Sequence, residues 1–116
     1  MDLINKKCVP CEGGVDPLSS EVIATYLAVV EGWTNEADKK IHKDYVFKDF
    51  AEALTFVNQV GAIAEAEGHH PDILLHGWKE VRLTLFTHAI QGLHLNDFVL
   101  ASKIDAMWKK DFEKSV

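Results

Sequence analysis

The stretch "AEAEGHHPD", residues 64–72, puts two adjacent imidazoles, a proline and three carboxylates into nine residues. Neighbouring side chains on a helix or strand point in different directions, so packing against a core does not account for His69 and His70 together. An imidazole with an unperturbed pKa near ~6.5 can give or take a proton at neutral pH. Acid–base chemistry is therefore what these residue types offer first. His69, His70, Asp72 and His88 also contain enough donors for a divalent ion. Neighbouring histidines on one backbone seldom aim at a common centre, however, and the helical His-Glu-x-x-His spacing of hydrolytic zinc enzymes is absent.

The elements that must position these groups follow from periodicity. Pro17 and Ser19 start a helix, with Ser19 as N-cap and Val22, Ile23, Tyr26, Leu27 and Val30 on one face, ended by Gly32. After Trp33 a polar turn at residues 35–38 leads into a strand in which Ile41, Tyr45 and Phe47 alternate with polar residues. Asp49 then caps a second helix, with Glu52 three residues on, and Phe50, Leu54, Val57 and Ala64 form its packed side as far as Gly68. Pro71 bars helix continuation and biases His70 towards extended geometry, so the histidine pair falls on a connection. A short strand over residues 73–76 turns at Gly77 into a strand in which Val81, Leu83 and Leu85 alternate with Arg82, Thr84 and Phe86. His88 lies at its end. A last helix carries Phe98, Ala101, Ile104, Asp105 and Trp108 on one stripe.

The expected order is α-β-β-α-β-β-α, an α+β fold with a four-stranded antiparallel sheet and helices on one face. Antiparallel pairing of the last two strands brings the end of the fourth beside the start of the third, and so His88 beside His69 and His70. Trp78 and Trp108 read as core or subunit contacts, and His42, His76 and His94 as solvated surface. Glu65 and Glu67 sit at a helix C-terminus, an unfavourable place for acids that favours a local role for at least one of them.

At 116 residues the chain is one domain, expected over 17–116 behind an N-terminal arm of residues 1–16. The net charge of −6, with one Arg among 12 basic residues, argues against nucleic acid as a partner. No run is long enough for a membrane span, and "MDLINKK" is not a secretory signal, so cytoplasmic residence is the default. "CVPC", Cys8 to Cys11, lacks the second ligand pair of a structural zinc site and does not follow a strand as a redox motif should. Its thiols are expected reduced, in a surface extension.

"AEAEGHHPD", the "TH" of Thr87 and His88, and "GLHLNDFVLASKID" together resemble pterin-4a-carbinolamine dehydratase, in the order E-x-x-x-H-H-P, T-H, G-L-x-x-x-D-x-x-x-A. "YVFKDFAEALTFVNQVGAIAE" is similar to that family's aromatic strand and following helix, and the arm to an extension on some bacterial members. The resemblance covers about residues 18 to 108. It implies dehydration of a 4a-hydroxytetrahydropterin to the quinonoid dihydropterin, in the recycling of tetrahydrobiopterin for aromatic amino acid hydroxylation, with an aromatic amino acid hydroxylase as a neighbour in that pathway. The pterin is the substrate and no cofactor or metal is implied. His69 and His88 are the expected acid–base pair, with His70 orienting or binding the pterin. Glu65 and Asp97 match the family's site carboxylates. Pro71 belongs to the matching motif, and Thr87, Ala89 and Ile90 occupy the segment that lines the substrate in similar proteins.

His94 stands where the family usually has a capping Thr. As a poorer cap it is expected to leave Asp97 either at the helix end or turned towards the site. A sheet face bare of its own helices predicts a homodimer or homotetramer. The resemblance also brings an alternative, a non-enzymatic interaction module, because the family includes a mammalian member that stabilises the dimer of a homeodomain transcription factor.

Overall fold

The structure, a computed structural model, describes residues 2–10 and 13–113. Cys11, half of the CVPC motif, lies outside the described residues. The elements are α1 (Ser20–Leu27), β1 (Thr34–Glu36), β2 (Lys40–Val46), α2 (Phe50–Glu67), β3 (Asp72–His76), β4 (Glu80–Leu85), a one-turn 3-10 helix (His88–Ile90) and α3 (Leu95–Asp111). The order is the expected α-β-β-α-β-β-α. All strand pairs are antiparallel, in the spatial order β1-β2-β4-β3.

Sheet alternation sorts the side chains as the pattern requires. Ile41, Tyr45, Val81, Leu83 and Leu85 are buried beneath the helices. Asp44 and Arg82, directly opposite each other on β2 and β4, form a two-point ion pair at 2.7 and 2.9 Å on the other face. The β3–β4 turn holds Gly77 and Trp78 at φ 54° and 56°, and Trp78 is exposed.

Three local readings are corrected. α1 ends at Leu27 rather than at Gly32, and the freed segment folds so that the Glu31 amide and the Trp33 indole reach Asp105 on α3, at 3.3 and 2.9 Å. Lys43 meets the same carboxylate at 3.4 Å. Desolvation raises the pKa of Asp105, against the lowering effect of these partners.

The packed side of α2 is Ala53, Phe56, Val60 and Ala64, whereas Phe50 and Leu54 are exposed. Phe56 is drawn inward by an aromatic cluster, with ring centroids 4.6 Å from Tyr45, 4.9 Å from Phe47 and 5.4 Å from Phe112. Asp49 does cap α2, accepting from the Glu52 amide at 2.8 Å, but the Glu52 carboxylate accepts from Lys48 rather than from the cap residue.

The third correction concerns the arm. Leu3 and Cys8 are buried in the hydrophobic core, so the described part of the arm is seated on the domain and Cys8 is no surface thiol.

Candidate active site

Gly68 ends α2 in the left-handed conformation, φ 67°, with its amide on the Ala64 carbonyl at 2.9 Å. That reversal throws His69 and His70 out beside the segment leaving β4. There the ladder stops at Leu85, Thr87 makes an isolated bridge to Gly92, and His88 opens the one-turn helix. Gly68, His69 and His70 form one wall of a hollow of about 300 Å³; Phe86, Thr87, His88 and Ala89 form the facing wall. The three imidazoles expected to converge line a single depression, at the lower end of the ~300–1,000 Å³ usual for small-molecule sites.

His69 is the most constrained of them. Its Nε2 lies 2.6 Å from Asp97 Oδ1, with 13% of the imidazole side chain and none of the carboxylate exposed. A carboxylate oxygen at this distance pairs with the Nε2–H tautomer of the ring, which leaves Nδ1 without a contact to Asp97. Asp97 Oδ2 accepts from the Thr87 hydroxyl at 2.8 Å and from the His94 amide at 3.0 Å. One buried carboxylate thus closes the N-terminus of α3, ties down the β4 exit and orients the imidazole.

Asp97 is thus held at the helix end, accepting from the His94 amide, and reaches His69 at the same time. His94 is not solvated surface either, since its Nδ1 accepts from the Asn96 amide at 3.0 Å and completes the cap. His42 is likewise engaged, 2.6 Å from Glu36.

His70 Nε2 lies 3.1 Å from Glu65 Oε2, and both side chains are largely exposed. Such a pair orients weakly. His88 is exposed and packs at a tilt against Phe86, ring centroids 4.1 Å apart and planes at 55°. Of the expected binding residues, Thr87 and Ala89 line the hollow, but Glu65, Pro71, Ile90 and Asp97 do not. Asp97 stands behind His69, Glu65 reaches His70 from the exposed surface, Pro71 leads away into β3, and Ile90 is turned half inward.

Besides Gly68, which was read only as the end of α2, two contributors had no counterpart among the expected residues. Phe86 was read as one more position of the alternating strand, and the arm's Val9 also lines the hollow. Val9 is fixed by Asn96, whose amide accepts from the Val9 N–H at 3.0 Å and donates to the Val9 carbonyl at 2.6 Å. Beside it, Glu67 accepts from the Cys8 amide at 2.8 Å, and that bond, with Lys103 and Lys7 nearby, holds the Glu67 pKa below the usual carboxylate value. Burial, with Glu67 close by, pushes the Cys8 thiol up to about 12. No signal of periodicity marks contacts between a side-chain amide and an irregular segment.

Among the described residues, no group of three or more His, Cys, Asp and Glu is arranged to hold a metal ion. No helix among them is long and apolar enough to cross a membrane.

Comparison with known proteins bears on the same residues. A family model described as Pterin 4 alpha carbinolamine dehydratase matches residues 16–107. A "Putative pterin-4-alpha-carbinolamine dehydratase" of Halorhodospira halophila is 49% identical over 109 residues, 92% of this chain and 98% of the relative. One of the same name from Alkaliphilus metalliredigens is 48% identical over 105 residues, 90% of this chain and 94% of the relative. The crystal structure of a transcriptional coactivator/pterin dehydratase from Brucella melitensis superposes with a TM-score of 0.73 at 29% identity, covering 79% of this chain and 98% of that one. With the motif order, the fold and the match over residues 16–107 in agreement, the chain belongs to the pterin-4a-carbinolamine dehydratase family.

Proposed function

We propose that the protein removes water from a 4a-hydroxytetrahydropterin, probed most directly with the biopterin derivative, to give the quinonoid dihydropterin. The observation that carries this reading is the meeting of His69, His70 and His88 on one hollow, with His69 oriented by the buried Asp97.

In the reaction the C4a–O bond breaks with its electron pair on oxygen, and the departing hydroxide is protonated to water. The N5 lone pair forms the C4a=N5 double bond and N5 gives up its proton, so the sum is loss of one water. His69 and His88 divide these two transfers, and His70 binds or orients the ring. Each positioned acid–base group supplies about 10²- to 10⁴-fold in rate. Asp97 and Thr87 act on His69: the carboxylate keeps the Nε2–H tautomer and the hydroxyl holds the carboxylate. The three imidazoles also favour an enzyme over a module used only for binding, which has no chemical use for them.

The test is to supply 4a-hydroxytetrahydrobiopterin, generated by a phenylalanine hydroxylase, and follow quinonoid formation. Acceleration over the uncatalysed rate is expected, unchanged by a chelator. A rate equal to the uncatalysed one removes the reading and leaves the family's interaction role. Cytoplasmic residence and assembly as a homodimer or homotetramer complete the proposal, the latter checked by light scattering.

A further inference from the structure

We infer that the arm is a working wall of this site, and that Asn96 and Glu67 are positioning residues that set how tightly the pterin is held. The inference rests on the pterin reading above. Its basis is a set of shared supports. Asn96 is 2% exposed and uses both polar atoms of its amide on the Val9 backbone, a two-point grip like one rung of a β-ladder, while its carbonyl accepts from the Cys8 thiol at 3.5 Å. The next residue, Asp97, holds His69. One turn of α3 therefore registers both the arm and the imidazole.

The C-terminus of α2 repeats the arrangement. Glu67 takes the Cys8 amide, pairs with Lys103 at 3.2 Å, and stands two residues before His69. Lys7 donates to the Ala66 carbonyl at 2.8 Å, meeting an otherwise open carbonyl of the last turn. Farther along, Gly13 passes the Ala89 carbonyl so closely that an added Cβ would stand 3.4 Å from it. The arm thus lies against both segments that bound the hollow, the end of α2 and the exit from β4.

What this wall offers is apolar. Val9 is 56% exposed although its backbone is fixed, and it lines the hollow together with Phe86. A flat heteroaromatic ring gains from such edges by losing water on both faces. Among the described residues of the arm, Val9 is the one that lines the hollow, and its side chain carries no proton to transfer. Its loss should weaken binding and leave proton transfer largely intact.

The experiment compares wild type with Asn96→Ala, which releases the grip, and Val9→Gly, which removes the wall's side chain where burial is slight. Fluorescence titration with 7,8-dihydrobiopterin gives Kd without turnover, the dehydration assay gives KM and kcat, and hydrogen exchange at the Cys8 and Val9 amides reports whether the arm is seated. Asn96→Ala is expected to raise Kd and KM by roughly tenfold with kcat within about twofold, and to lose amide protection at Val9. Val9→Gly should raise KM several-fold with protection retained at Cys8. Wild-type Kd and KM in both variants overturns the inference even if the dehydratase is active. A wild-type protein that neither binds nor dehydrates a pterin overturns the functional reading, and this inference with it.

Discussion

His69 Nε2 and Asp97 Oδ1 lie 2.6 Å apart, although 28 residues of chain separate them. Asp97 also receives the Thr87 hydroxyl and the His94 amide, so three donors depend on one carboxylate. Asp97→Asn presents an amide that accepts on one side only, so that either a donor loses its partner or His69 turns to the tautomer with its hydrogen on Nδ1. The expected cost is about 1–3 kcal/mol of stability together with a fall in kcat, measured by urea unfolding and by the dehydration assay. Thr87→Val, which keeps the shape and loses one donor, should cost about 1 kcal/mol and lower kcat less. Wild-type kcat in Asp97→Asn would show that the carboxylate does not act on the reacting imidazole.

His69→Ala and His88→Ala should each lower turnover by at least ~10²-fold, as expected for a proton-transferring group. Circular dichroism is expected to show both folded. His88 is exposed, and its loss should leave the melting temperature unchanged. Wild-type rates in either variant would take the acid–base role from that residue.

The orientation of α2 gives a paired test on stability. Phe56→Ala empties the centre of the Tyr45, Phe47 and Phe112 cluster and should cost about 3–5 kcal/mol. Phe50→Ala changes a side chain 48% exposed and should cost less than about 0.5 kcal/mol in the monomer. The reverse ranking in chemical unfolding would mean that the helix is rotated by one position.

Asp105 supplies a pH dependence. Its folded pKa is raised above the ordinary 3.8, chiefly by desolvation, so its favourable contribution is complete below the unfolded pKa and is lost as pH rises through the folded value. Asp105→Asn does not titrate there. The stability of the variant relative to wild type should therefore improve as pH is raised from about 3 to about 7. A constant difference across that range would show that burial leaves the carboxyl unshifted.

The element order and the sheet's inner face were legible because Val81, Leu83 and Leu85 alternate without interruption, whereas the spatial order β1-β2-β4-β3 was not read from the sequence. The meeting of His88 with His69 and His70 followed from antiparallel pairing of the last two strands. The face of α2 did not, because 50, 54, 57, 64 and 53, 56, 60, 64 are both helical stripes ending on Ala64. The choice between them is made by Tyr45, Phe47 and Phe112, which are remote in sequence. His94 was misjudged for a related reason: capping preference describes the average histidine, whereas here Nδ1 is placed 3.0 Å from the Asn96 amide. The arm's seat was invisible, since Asn96 grips backbone atoms, and those are the same for almost any residue at position 9.

Cys8 sits in the core with its thiol pushed up to about 12 and its sulfur on the Asn96 carbonyl. An electrophile such as iodoacetamide needs both a thiolate and a clear approach, and the docked state supplies neither at neutral pH. Alkylation of this sulfur, located by peptide mass mapping, therefore proceeds through molecules whose arm has left its seat, and its velocity becomes a clock for how often that wall of the hollow is withdrawn.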